Sequence, residues 1–294
     1  MTPEAFILIL VSALLHAGWN LIGKRTAQTV RFYAWAMAAG MVFYSPLLLS
    51  SLDAIQELPP SFWGLLFASG FCQTCYMTGL ARAYSHGNLS MVYPLARALP
   101  VVIVPLLVIL VYGQTQLNNA DLLGIVLIVF GAIALPLKRW RDWHIKDYLT
   151  PAIGWVLVAA SATAGYSILD SMAIGIMKDA GLSAFNAGSS FVVLQAGATL
   201  CWMLPTVAFL FRENLFEFPD RRWTLVAGLF VIGTYMLVLV SMSLVTEVSY
   251  VVALRQISIP IGFLIGIIWL KEGLGLPKLQ GFVVLLSGLL LVSL

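Results

Sequence analysis

Two arginines, Arg97 and Arg255, sit well inside long apolar runs of this chain. A cation in hydrocarbon costs about 2.5–3.5 kcal/mol on insertion scales, so it persists where it meets a partner or a water-filled cavity. A guanidinium presents a planar fork of donors that matches the oxygens of a carboxylate or phosphate. Placed at matching depths in two similar parts of one chain, the pair points to a central site for a polar or anionic solute. The other role open to them is to lock helices through carbonyls or a neighbouring acid, and Glu247, two turns before Arg255, is such an acid.

A polar stripe supplies the second set of candidates. Ser12, His16 and Asn20 recur at helical spacing, and Thr163, Ser167 and Ser171 repeat that spacing later in the chain, so each triplet shares one helix face. His16 aligns with Thr163 and Asn20 with Ser167. Such a stripe either bonds helices together, at under ~2 kcal/mol per hydrogen bond, or lines a cavity. Its recurrence favours the cavity. His16 is the one imidazole within a span, the side chain that ordinarily changes charge near neutral pH, which makes it the candidate for proton coupling; helix packing is its alternative role. Trp19, Tyr76, Tyr93, Tyr166 and Tyr235, with Gln73, are candidate walls. All thirteen Asp and Glu fall in loops or at span ends, so no carboxylate is expected at mid-span. Cys72 and Cys75 form a C-x-x-C inside an apolar run with no second pair, which reads as packing rather than a metal site, and no metal or cofactor is expected.

The elements that position these residues follow from composition. The chain is 61% hydrophobic and 10% charged, against about a quarter charged in soluble domains. Apolar runs long enough to cross ~30 Å of hydrocarbon recur throughout. They predict ten spans, at 4–23, 32–50, 62–83, 90–111, 120–137, 150–170, 185–211, 224–244, 247–270 and 278–294. Long unbroken runs select helices over a barrel, giving an all-α polytopic membrane protein with no room for a soluble domain. The first run lacks a basic start and a small-residue cleavage site, so it is expected to be a span and not a cleaved signal.

Internal similarity divides the chain in two. Gly124 and Gly131 recur as Gly281 and Gly288 at an offset of 157; Arg97 and Arg255 differ by 158, and Trp63 and Trp223 by 160. Near the start of each half, Ala17-Gly18-Trp19-Asn20 meets Ala164-Gly165-Tyr166-Ser167. The expected organisation is a five-helix repeat at 1–137, a basic cytoplasmic linker at 138–149 with Trp140 and Trp143 as interfacial anchors, and a second five-helix repeat at 150–294. Five is odd, so the second repeat enters the membrane inverted, an arrangement that places a solute site near the midplane between halves. Pro94, Pro100 and Pro105, and Pro260 in the second half, are expected to loosen helices beside the arginines. The glycine pairs are expected to make smooth faces for close helix contact.

Charge fixes a side. Loops after the odd spans carry thirteen Lys and Arg, and the opposite side carries Lys178 alone. The positive-inside rule then puts the odd loops in the cytoplasm and both termini outside.

The end of each half carries a resemblance. Trp269-Leu-Lys-Glu272, followed by Gly-Leu-Gly-Leu-Pro-Lys-Leu-Gln280-Gly281 and then Gly288, resembles the Gly/Glu turn and glycine-bearing last helix of EamA-type carriers of the drug/metabolite transporter superfamily. The first half departs, with Gly113-Gln114 where the family often has an acid. The resemblance implies alternating-access movement of small metabolites, often export, through a central cavity, with termini commonly cytoplasmic, opposite to the charge count here. The expected location is a bacterial cytoplasmic (inner) membrane. The expected partners are the bilayer and a small-molecule solute, an anion or zwitterion such as an amino acid or organic acid, with protons as the candidate coupling ion. No nucleic acid is expected, and monomer and homodimer both stay open. The alternative solutes are uncharged or cationic amphiphiles. A membrane-embedded enzyme is disfavoured, since no H-E-x-x-H, mid-span aspartate pair or histidine cluster is present.

Overall fold

A computed structural model describes residues 3–26, 29–112, 118–142, 144, 148–243 and 256–293. Arg255, Glu247 and the Gly113-Gln114 pair lie outside the described residues. The helices are α1 (Pro3–Thr26), α2 (Val30–Tyr44), α3 (Leu52–Gln56), α4 (Pro60–His86), α5 (Leu89–Tyr112), α6 (Asn119–Ala134), α7 (Pro151–Asp179), α8 (Ala184–Pro205), α9 (Arg221–Ser243), α10 (Ser258–Leu264) and α11 (Leu276–Ser293). A tight 3-10 stretch, Ser45–Ser51, joins α2 to α3, and wide π turns at Thr206–Leu210 and Ile265–Trp269 extend α8 and α10. No strand occurs among the described residues.

Where ten spans were expected, five helical stretches are long and apolar enough to cross a membrane among the described residues: Phe6–Thr26, Val30–Gln56, Pro151–Asp179, Ala184–Leu210 and Arg221–Val238. Leu89–Val104, Asn119–Ala134, Ser258–Trp269 and Leu276–Val292 are shorter apolar helices. α4 is 27 residues long but is diluted by Ser69, Gln73, Thr74 and Thr78. The largest boundary error falls on the sixth span, expected at 150–170. Its helix continues to Asp179, because the apolar run resumes immediately beyond Asp170.

Local chemistry explains the starts. Asn118 and Asp121 form a reciprocal capping box at α6, with both bonds at 2.9 Å. Thr150 and Ser183 accept from Ile153 and Asn186 N–H at the starts of α7 and α8, and Pro151 occupies the first turn of α7, where its missing N–H costs nothing. α5 runs unbroken through Pro94, Pro100 and Pro105. Pro100 nonetheless removes the bond that the Ala96 carbonyl would accept, one residue from Arg97.

Helices from the first part of the chain pack mainly on helices from the second. α1 and α2 lie against α9, α4 against α7 and α8, α5 against α7 and α10, and α6 against α11. The α6–α11 contact is where glycine is required. A Cβ on Gly131 would sit 2.5 Å from the Gly281 carbonyl oxygen, and one on Gly288 would sit 2.6 Å from that of Gly124. The four glycines thus form the smooth faces read from the sequence.

The loops that follow alternate spans meet on one face. Lys24 Nζ donates to the Tyr84 and Gly87 carbonyls, Glu213 accepts from Arg31 N–H at 2.8 Å, and Trp140 Nε1 donates to Gln280. On that face α8 and α10 end alike. Each finishes in its π turn, then a basic residue in the left-handed region (Arg212, φ 53°; Lys271, φ 54°), then a glutamate. Glu213 caps the start of α2, and Glu272 accepts the Leu89 and Ser90 N–H groups at 2.7 and 2.8 Å to cap α5.

The outer surface is apolar: Val42, Leu49, Phe209 and Ile268 are 72, 71, 81 and 71% exposed. Ser69, Thr74, Gln195 and Thr199 are buried. Polar groups inside and hydrocarbon outside invert the soluble pattern, and the chain is an integral membrane protein.

Candidate functional site

A cavity of about 380 Å³ opens between α4, α5, α7 and α9, and a second of about 100 Å³ continues it toward α1 and α8. Five residues wall both chambers: Tyr76, Arg97, Tyr166, Asp170 and Tyr235. α5 carries Arg97 two turns beyond its Glu272-capped start. Its Nε is buried, and among the described residues nothing hydrogen-bonds to it. Tyr76 and Tyr166 meet edge to face, ring centroids 5.8 Å apart, and so hold each other across the α4–α7 contact.

The other expected residues divide. Ser167 and Thr163 line the larger chamber. Each hydroxyl donates to the carbonyl four residues earlier, Ser167 to Thr163 at 2.7 Å and Thr163 to Ala159 at 2.9 Å, which leaves oxygen lone pairs available to a solute. His16 and Trp19 line the smaller chamber. Indole N–H can only donate, so the 2.9 Å bond from Trp19 Nε1 makes His16 Nδ1 an acceptor and puts the ring proton on Nε2. Doubly protonating His16 would break that bond.

Asn20 and Tyr93 line neither chamber. Asn20 is 1% exposed; its Oδ1 accepts from Tyr84 Oη at 2.6 Å and its Nδ2 donates to the His16 carbonyl. It ties α1 to α4. Tyr93 is 1% exposed, 5.8 Å from the His16 ring, and fills the space beside Gly262. Ser12 likewise bonds across helices, to the Thr234 carbonyl at 2.9 Å. Both ends of the first stripe, Ser12 and Asn20, therefore bond helices together, while His16 between them and the second stripe, Thr163, Ser167 and Ser171, line the cavity.

The expectation of no mid-span carboxylate is corrected by Asp170. It lies nine residues, ~13 Å, before the end of α7. Ser69 Oγ donates to it at 2.5 Å, and Gln195 Nε2 donates to both its oxygens at 2.9 Å. Taking the charge as a span boundary hid it. The signal was present, since Asp170 is three residues beyond Ser167 on the same helix face as the stripe. Gln195, Ser69 and Gln256 were also missed, while Gln73 proves to line the smaller chamber. Among the described residues no three His, Cys, Asp or Glu side chains gather as a metal site would need.

The model of the EamA-like transporter family matches residues 4–135. No curated protein matches the chain. A solved structure described only as "Crystal structure of protein" resembles it with a TM-score of 0.60 at 15% identity, over 99% of this chain and 96% of that one. At that identity the likeness concerns the fold.

Proposed function

Residues 4–135 of this chain belong to the EamA-like transporter family of the drug/metabolite transporter superfamily, and we propose that the protein is a secondary transporter that moves a small anion or zwitterion across the membrane by alternating access. One observation carries the reading: Arg97 brings to the wall of a 380 Å³ cavity in a membrane bundle a buried Nε that no described residue bonds. A cation kept there at a cost of about 2.5–3.5 kcal/mol needs a counter-charge, and an acidic solute supplies it. Tyr76, Tyr166, Ser167 and Tyr235 complete the proposed site, with His16 and Trp19 at its inner end. Export is the direction the family suggests, from a bacterial cytoplasmic membrane.

Alternating access needs two halves that exchange roles. Support comes from the pairing of helices. Number the spans one to ten as α1, α2, α4, α5, α6, α7, α8, α9, α10 and α11, and shift each by five. The α1–α9 contact then becomes α7–α4, α2–α9 becomes α8–α4, and α5–α7 becomes α10–α1, all of which occur. The α6–α11 and α5–α10 contacts map onto themselves. An inverted pair of five-helix repeats, 1–137 and 150–294, produces this pattern. The basic loops that share a face lie in the cytoplasm under the positive-inside rule, with both termini outside.

The test is a cysteine at Ser167, on the cavity wall, in a protein with Cys72, Cys75 and Cys201 replaced by Ala. Alternating access predicts labelling by a membrane-impermeant thiol reagent from either side of the bilayer. Labelling from one side alone under all solute conditions contradicts it.

A further inference from the structure

Asp170 places a negative charge in the same walls as Arg97. Its donors are neutral. Ser69 and Gln195 arrive from α4 and α8, both buried, and fix the carboxylate without cancelling its charge. Among the described residues no Lys, Arg or His forms an ion pair with Asp170, and none of the acids pairs with Arg97. The cavity therefore holds two opposite, unneutralised poles. A solute with one charge satisfies one pole and leaves the other buried and bare, which is the costly outcome for a buried charge.

A second observation concerns hydrogen bonds. Gln256 Oε1 in the larger chamber and Gln73 Oε1 in the smaller are buried acceptors with no donor among the described residues. Gln256 is 9% exposed. A carboxylate brings no N–H to such oxygens, whereas a primary ammonium brings three. The excess of acceptors around one guanidinium thus asks for a donor-rich cationic group in the same molecule as the acid.

We propose that Asp170, held by Ser69 and Gln195, is the cation-binding pole of this cavity, and that the solute is a zwitterion with its ammonium at Asp170 and its acidic group at Arg97. This rests on the reading of the cavity as the solute site. A site built around a hydrogen-bonded group rejects analogues that lack it, so deleting either solute charge weakens binding about tenfold or more.

The experiment measures thermal stabilisation of the detergent-solubilised full chain by amino acids, each beside its deaminated acid and its decarboxylated amine, such as leucine, 4-methylpentanoate and 3-methylbutylamine. Wild type should bind at least one zwitterion about tenfold or more above both partners. Asp170→Asn should bring that zwitterion and its deaminated acid within about threefold of each other while the acid still binds. Ser69→Ala, which removes one orienting donor, should narrow the preference part-way, and it serves with the wild-type ranking if Asp170→Asn fails to fold. Equal binding of acid and zwitterion by wild type, no binding of any zwitterion, or an unchanged ranking in Asp170→Asn overturns the proposal. Tight binding without counterflow of the same ligand in proteoliposomes counts instead against the transport reading.

Discussion

Removing the Glu272 carboxylate should loosen the helix that carries Arg97. Its two oxygens accept from Leu89 N–H at 2.7 Å and Ser90 N–H at 2.8 Å, and the Ser90 hydroxyl donates to it as well. All three donors sit at the first turn of α5, where backbone N–H groups have no partner within the helix. Hydrogen bonds to a charged group contribute about 1.5–3 kcal/mol each and do not add fully, so Glu272→Ala should lose about 3 kcal/mol or more. At ~2–4 °C per kcal/mol, that lowers the apparent Tm in detergent by about 6–12 °C. Glu213→Ala is the internal comparison, because Glu213 caps α2 through one backbone N–H. Its loss should be roughly half as large. Glu272→Gln keeps one acceptor oxygen and should fall between the two. A Glu272→Ala protein that melts within about 2 °C of wild type, or no lower than Glu213→Ala, refutes the reasoning.

Four further outcomes follow from the packing and the charge count. Gly131→Ala would press a methyl to 2.5 Å from the Gly281 oxygen and the Leu285 nitrogen, so it should cost about 1–3 kcal/mol in a melt. Gly64→Ala, with nothing among the described residues within 4 Å of the new methyl, should be neutral or stabilising. Asn20→Ala strands the buried Tyr84 hydroxyl and should lower stability by about 1–3 kcal/mol while leaving the order of solute preference unchanged in counterflow. A reporter that fluoresces only in the cytoplasm, fused at the C-terminus, should stay dark, and a bright fusion reverses the assigned orientation.

The sequence disclosed what depends on local pattern. Gly124, Gly131, Gly281 and Gly288 were legible as a close helix contact because spacing and small size suffice for one. Arg97 was legible because charge in an apolar run is rare. Asp170 was not, for a physical reason. Reading hydropathy treats a carboxylate as a span end since burial is costly, but here Ser69, 101 residues earlier, and Gln195, 25 residues later, offset that cost. Such partners come together only in three dimensions. Asn20 failed in the opposite sense. Its place on the stripe matched Ser167, yet Tyr84, 64 residues away, takes its oxygen and draws it out of the cavity wall. The Glu213 and Glu272 caps also depend on distant chain segments, 182 and 183 residues from the N–H groups they hold.

The most direct test of the central claim is counterflow in proteoliposomes with a mixed panel of anionic, zwitterionic and cationic metabolites, wild type beside Arg97→Ala. The account predicts that wild type exchanges at least one anion or zwitterion, and that Arg97→Ala, folded as judged by its melt, loses that exchange. Undiminished flux in Arg97→Ala, or exchange of cations only, would contradict it.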